Sequence, residues 1–558
     1  MRGEAVSAAR PEIWIGRRDP DAISADLAAA QGPLAGLLLA VKNNVDVDGF
    51  VTTAACPSFA DKPAAEDAPA VARLRAAGAT VVGVTNLDQF ATGLVGQRSP
   101  HGGVRDARRP DYISGGSSSG SAVAVALGLA DIAIGTDTAG SGRIPASLQG
   151  IVGIKPTLGV VSTEGVVPAC RSWDAVTILA RDLDTASLAM SFMAGGPGTR
   201  PWPVDAPLAA PVAAHIAVPA FLPGLSESWA AAFGDAVERL RADGCTVEEI
   251  DFDTFLDAAK LLYNGALVAE RHAAVGDFID AHLDDPAVDP TVGAIIARAG
   301  TLTASAMVRD QARLEELRQT SLALLDGFDA LLVPTAPGHP SIAEVAADPV
   351  GVNSWMGTYT NFCNLFDLCG VAVPSGTADD AQFGVTVLAR PFHDALALDL
   401  ARRVQLLPPS VAVDGAAPAR TSPGPWPVGA GLATERLLVV GAHLKGQPLS
   451  GELERIGARW AGPMATAPAY HLTALDTVPP KPGLERVGPD GSTIAGEIWE
   501  VSVGALGKFL AALPAPMNLG RVELSDGTWV VGFGCAVEAA RSGQDITAYG
   551  GWRNWLDR

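Results

Sequence analysis

A run of small hydroxylic residues, GGSSS at 115–119, is followed 24 residues after Ser117 by Ser141 in the segment GTDTAGSGRIPAS. A serine hydroxyl is a weak nucleophile at neutral pH. A hydrolase that uses one must set a base beside it and place donors where negative charge develops on the substrate. The turn of small residues at 135–141 can present its backbone amides inward as those donors. Lys42, closing the apolar run LLLAVK, offers the base, because burial disfavours the ammonium and draws its pKa toward neutrality. The chain has only seven lysines, and two of them, Lys42 and Lys155, stand among mostly apolar neighbours. The Gly/Ser run is not a P-loop, since no Gly-x-x-x-x-Gly-Lys-Ser/Thr pattern occurs.

These side chains need a framework. Residues 68–77 repeat Val71 and Leu74 at helical spacing, Gly78 stops the pattern, and residues 80–85 read as a buried strand. That is a helix-to-strand unit of an α/β sheet. Further helices are predicted at 228–242 and 304–325, the second strongly charged on one face. Small residues dominate 118–128, which predicts a central, closely packed helix whose N-terminus directs N–H groups at the site holding Ser117.

Proline and glycine crowd residues 406–432, a density that excludes a helix or central strand and predicts a linker between residues 1–405 and 433–558. Beyond it the runs LLVVGAH, PAYHLTAL, IAGEIWEVS and RVELSDGTWVVGFG alternate with turn signals at Pro489-Asp490-Gly491 and Asp526-Gly527. A smaller β-rich domain, a small barrel or rolled sheet, is expected there.

With 558 residues, 48% of them hydrophobic, the chain is long enough for a sizeable core. Its formal net charge of −21 opposes binding to nucleic acid phosphates and anionic membranes. Six scattered cysteines lack metal-knuckle spacing and read as buried thiols of a reducing compartment. The N-terminus has no apolar signal region, and the most apolar stretch, 122–134, is interrupted by Asp131. The expectation is a cytoplasmic enzyme, a homodimer, with no metal, cofactor, nucleic acid or membrane partner.

From about residue 37 to about 404 the chain resembles the amidase signature family, through the serine segments above and through IVGIKPT at 151–157, FDALLVPTAP at 328–337 and CGVAVPSG at 369–376. The resemblance implies a mixed central β-sheet covered by helices and a Ser-Ser-Lys triad. Ser141 would be the nucleophile, Ser117 a bridging serine that follows a cis peptide bond, and Lys42 the terminal base. The amides of Thr138, Ala139, Gly140 and Ser141 would form the oxyanion hole, and Gly115 would lie against the substrate.

The C-terminal module resembles the γ-glutamylcyclotransferase-like fold, with residues 440–446 as its substrate loop. After the helix predicted at 504–513 the chain reads PAPMNLG, without the acidic residue that fold uses in cyclotransfer. The two modules in this order resemble the allophanate hydrolase family. That likeness implies hydrolysis of urea-1-carboxylate, a small anionic amide, with Tyr263 and Arg271 holding its carboxylate. On an unbroken helix those two would lie about 12 Å apart along the axis and roughly 80° apart around it, so they converge only through arginine's length or a bend near Gly265. A structural Arg271 paired with Glu270 or Asp277 is the competing reading. The likeness also implies that the C-terminal domain promotes a later decarboxylation, with His443 as its candidate residue. Three other functions remain open: an amidase for another carboxylated amide such as malonamate, a glutaminase subunit of a tRNA-dependent amidotransferase, and a C-terminal domain that only dimerises or docks.

Overall fold

The computed structural model describes residues 4–407 and 424–558. Most of the predicted linker, at 408–423, falls outside the described residues. The chain divides into two compact units, one of residues 1–201 with 213–430, the other of residues 202–212 with 431–558.

The larger unit is built on an eleven-stranded sheet. In chain order its strands are β1 (Trp14–Arg17), β2 (Leu38–Lys42), β3 (Thr80–Thr85), β4 (Ile132–Asp137), β5 (Val152–Lys155), β6 (Ala175–Ala180), β7 (His215–Pro219), β8 (Thr246–Ile250), β9 (Ala330–Pro334), β10 (Cys369–Ala378) and β11 (Ala381–Ala389). They lie in the order β1-β3-β2-β4-β6-β5-β10-β11-β9-β7-β8. The β2/β3, β2/β4, β7/β8 and β7/β9 pairs are parallel and the others antiparallel, so the sheet is mixed, as the sequence led us to expect. Every residue of β2 through β6 is buried, which is why these strands read as continuous apolar runs and not as alternating ones.

Helices form at Pro69–Ala76, Glu227–Ala242 and Ala304–Leu324, within a residue or so of the predicted bounds. The small-residue helix runs Ser119–Ala126 and is buried at every position. Its composition is what lets it sit so close: a Cβ at Gly120 would stand 2.3 Å from the Ile13 carbonyl oxygen. Two of the amides at its start are taken up by backbone carbonyls. The Ser118 amide donates to the Ser141 carbonyl at 3.2 Å and the Gly120 amide to the Asn86 carbonyl at 3.0 Å.

One sequence expectation fails within the described part of the linker. Trp426–Gly429 is a helical turn, with Trp426 fully buried and Gly429 against Ser191 of the helix Leu183–Met193. Prolines precede and enter only its first turn, where their missing N–H has no helical partner to lose.

The smaller unit holds a five-stranded sheet in the order Arg459–Ala465, Ala495–Ser502, Thr434–Val439, Trp529–Cys535, Met517–Glu523. A three-stranded sheet of Lys481–Arg486, Tyr470–Leu475 and Gln544–Asp545 shares one core with it, including Leu437, Leu472, Ile498, Trp499 and Phe533. The helix Val503–Ala512 packs on this core through Ala505 and Phe509. No single described helix is long and apolar enough to cross a membrane.

Candidate active site

Lys42 ends β2 beside β4 and is fully buried. Its Nζ donates to Ser117 Oγ at 2.8 Å and to Thr136 Oγ1 at 2.7 Å. Burial pulls its pKa down from 10.5 to about 7, against the attraction of Asp88, Asp174 and Asp137, while the nearby Arg271 charge adds to the downward shift. An amine so placed can take a proton near neutral pH. Ser117 follows a cis peptide bond from Gly116 and is also fully buried. Lys155, the other lysine in apolar surroundings, donates to the Pro156 carbonyl at 2.7 Å instead.

Ser141 lies in the turn between β4 and the helix Arg143–Gln149. Its carbonyl is held by the Ser118 amide, which keeps the two serine segments adjacent. Its hydroxyl points to the Gly93 carbonyl at 3.5 Å, a long contact, and no hydrogen bond joins it to Ser117 among the described residues. The turn is clamped from below by Asp137 and Arg143, both fully buried, with guanidinium–carboxylate bonds of 2.9 and 3.0 Å. Burial would raise the Asp137 pKa, but the Arg143 charge outweighs it and holds the carboxyl at about 2. Asn364 joins the clamp, accepting from Arg143 at 2.9 Å and donating to the Asp137 carbonyl at 2.7 Å.

This clamp changes the expected donor set. The Gly140 amide donates to Asp137 Oδ1 at 2.9 Å, so a carboxylate at the strand end already holds it. The amides of Thr138, Ala139 and Ser141 make no hydrogen bond to another described residue. Gly140 itself is required by close approach, because its φ is +119° and a Cβ would meet Thr360 Oγ1 at 2.4 Å. The Thr138 hydroxyl donates to Asp174, whose carboxylate also takes the amides of Ala169 and Cys170. Gly115 is buried with φ +75°, and a Cβ there would meet Pro145 Cα at 2.9 Å.

Tyr263 and Arg271 do converge. The helix Asp253–Asn264 stops at Gly265, whose extended backbone and a short 3-10 turn (Ala266–Val268) lead into the helix Ala269–Ala281. Across this break Arg271 Nη2 donates to the Tyr263 hydroxyl at 3.2 Å, with Arg271 Cζ 5.3 Å from the ring centre. Arg271 Nη1 donates to Thr92 Oγ1 at 2.8 Å and to the Ala91 carbonyl at 3.3 Å. Arg271 is 1% exposed and, among the described residues, makes no ion pair and has no hydrogen-bond partner for its Nε. Glu270 is engaged elsewhere, accepting from the Ser172 amide at 2.9 Å. A cavity of about 330 Å³ is lined by Tyr263 with Leu256, Ala259, Lys260, Ser354 and Asn361; Arg271 and the three residues Lys42, Ser117 and Ser141 are not part of its lining.

His443 belongs to the smaller unit, where it lines a cavity of about 220 Å³ with Glu452, Lys481, Pro482 and Met517. Its Nε2 is 3.0 Å from Glu452 Oε2 and its ring stacks on Phe533 at 4.8 Å. Burial draws its pKa below the usual value, with Glu452 pulling the other way. No group of His, Cys, Asp and Glu able to hold a metal ion occurs among the described residues. The six cysteines are free thiols, all buried except the half-buried Cys535.

Sequence reasoning missed Thr136, Asp137, Arg143, Asp174 and Thr92. Asp137 and Arg143 had a readable signal, since they are the only charged residues in the otherwise small or apolar segment GTDTAGSGRIPAS.

The geometry agrees with what the chain resembles. Residues 17–398 match the Amidase family model, and residues 435–557 match the model of the allophanate hydrolase C-terminal domain. The solved structure of allophanate hydrolase from Kluyveromyces lactis superposes with a TM-score of 0.88 at 38% identity, covering 98% of this chain and 93% of that one. Urea amidolyase of Saccharomyces cerevisiae is 42% identical over 94% of this chain, which spans only 30% of that longer protein. A glutamyl-tRNA(Gln) amidotransferase chain of Symbiobacterium thermophilum is 33% identical over 66% of this chain and 82% of its own length.

Proposed function

The chain belongs to the amidase family, and from that premise we propose that it hydrolyses allophanate, urea-1-carboxylate, to ammonia and N-carboxycarbamate. The observation that carries the substrate class is the unpaired charge of Arg271. Arg143, equally buried, is neutralised by Asp137. Among the described residues Arg271 is held by a hydroxyl, a carbonyl and a phenol. Asp174 attracts it through space without touching it; a guanidinium withdrawn from water with no carboxylate in contact is costly, and a substrate carboxylate recovers that cost through charge-assisted hydrogen bonds.

In the reaction, neutral Lys42 draws a proton from Ser117 as Ser117 takes one from Ser141, whose oxygen attacks the terminal amide carbonyl. For this the Ser141 hydroxyl leaves its long contact with Gly93 and turns toward Ser117; such contacts commonly tighten only with substrate in place. The oxyanion forms against the amides of Thr138, Ala139 and Ser141, in a turn that is buried and held in place by the Asp137–Arg143 clamp. Ser117 returns the proton to the departing ammonia, and water cleaves the acyl-enzyme by the reverse relay. The N-carboxycarbamate dianion then loses carbon dioxide as one N–C bond breaks and the nitrogen takes a proton, leaving carbamate; this step is assigned to the cavity lined by His443 and Lys481, where Lys481 offers positive charge to the carboxylate that remains.

The match of residues 435–557 and the near full-length coverage of the Kluyveromyces enzyme favour this reading over a malonamate amidase or an amidotransferase subunit. Free thiols fit a reducing cytoplasm, and a homodimer is the proposed assembly, testable by light scattering on the eluting protein. Ammonia release from allophanate, malonamate, glutamine, biuret and propionamide tests the substrate. Allophanate should give the highest kcat/KM, and a higher value for glutamine or propionamide would overturn the proposal.

A further inference from the structure

Residues 88–98 touch both halves of the candidate site. Toward the serines, the Asp88 amide donates to the Ser117 carbonyl at 3.2 Å, the Leu94 carbonyl accepts from the Gly116 amide at 2.9 Å, and the Gly93 carbonyl faces the Ser141 hydroxyl. Toward the anion anchor, the Ala91 carbonyl and the Thr92 hydroxyl hold Arg271 Nη1. The segment is stiff between these contacts. The Asp88 carboxylate takes the amides of Gly96 and Arg98 at 2.9 Å each, Arg98 Nη1 closes on the Thr92 carbonyl at 2.9 Å, and Asn353 Oδ1 takes the Leu94 amide at 2.8 Å.

We propose, resting on the anion-anchor reading of Arg271, that Thr92 is a specificity-positioning residue. Its hydroxyl fixes the guanidinium at the distance from the serines that suits a carboxylated amide. Thr92 is fully buried, and its own hydrogen goes to the Phe90 carbonyl at 3.2 Å, which leaves an oxygen lone pair for Arg271. The acceptor is neutral, and that matters. A carboxylate here would neutralise Arg271 and compete with the substrate, whereas a hydroxyl aims the guanidinium and leaves its charge available. Because Thr92 and Gly93 are adjacent in one braced segment, the anchor and the nucleophile share a single ruler.

The test compares kcat/KM for allophanate and for uncharged propionamide in the parent, Thr92→Val, Thr92→Ser and Arg271→Ala, with the thermal midpoint of each. Thr92→Val keeps the shape and deletes the acceptor, so the allophanate-to-propionamide ratio should fall roughly 5- to 30-fold, mainly through a raised KM. Thr92→Ser should stay within about twofold of the parent ratio. A ratio unchanged in Thr92→Val, or equal losses on both amides, would overturn the positioning role in favour of simple packing. If Arg271→Ala itself keeps the ratio, the anchor reading fails and the Thr92 role with it. A ratio lost in Arg271→Ala but kept in Thr92→Val strikes only the role of Thr92.

Discussion

Lys42 acts as a base only when neutral, and its burial sets the pH at which that happens. With its pKa drawn to about 7, about half of the chains carry a neutral Lys42 at pH 7 and roughly one in eleven at pH 6. A solvated lysine at 10.5 would be neutral in roughly one chain in 3,000 at pH 7, so burial raises the supply of base by about 1,500-fold. The kcat/KM for allophanate should therefore rise about fivefold from pH 6 to pH 7 and level off above pH 8. Initial rates of ammonia release, corrected for a no-enzyme blank at each pH, measure this. Lys42→Arg keeps the positive charge without a neutral form in this range and should be as inactive as Lys42→Ala. Stability carries an independent signature. The folded pKa lies below the unfolded one, so between about pH 7 and 10.5 the unfolded chain binds more protons at this site and its contribution to stability increases with pH. The stability of Lys42→Met relative to the parent should accordingly decline across that window. A flat rate profile between pH 6 and 8, or a tenth of the activity kept by Lys42→Arg, would refute the base.

Other perturbations follow from the same contacts. Ser141→Ala should lower kcat by roughly 10³-fold or more with substrate binding largely intact, measured by single-turnover rates and by equilibrium binding. Arg143→Met strands Asp137 as a buried unpaired carboxylate and should cost about 3–5 kcal/mol in denaturant unfolding. His443→Ala should slow carbon dioxide release from N-carboxycarbamate more than it slows ammonia release; equal effects on both would make His443 a structural residue of the smaller unit.

The parts of the site that lie within one short segment are legible in the amino-acid sequence alone. GGSSS, GTDTAGSG and the apolar run ending at Lys42 declare themselves because small residues, hydroxyls and a lone amine are unusual in such company. The strand at 80–85 is equally plain as a continuous apolar run, and the helix predicted at 228–242 is found at Glu227–Ala242. Partners distant in sequence are not. Thr136 meets Lys42 across 94 positions and Thr92 meets Arg271 across 179, and no local pattern encodes such pairings. The strand order belongs to the same class, since β5 sits beside β10 through non-local contacts. Gly265 is an intermediate case. A bend there is one foreseeable way to bring Tyr263 to Arg271, but that the helix ends outright can be read only from the backbone. The turn at Trp426–Gly429 escapes because composition hides one buried tryptophan among prolines.

The central claim is that a buried, unpaired guanidinium selects a carboxylated amide for a serine nucleophile. The most direct test is the kcat/KM of Arg271→Ala on allophanate and on propionamide. Charge-assisted hydrogen bonds of about 1.5–3 kcal/mol predict a roughly 10- to 150-fold loss on allophanate and little change on propionamide. Equal losses on the two amides would make Arg271 a support of the fold and contradict the account.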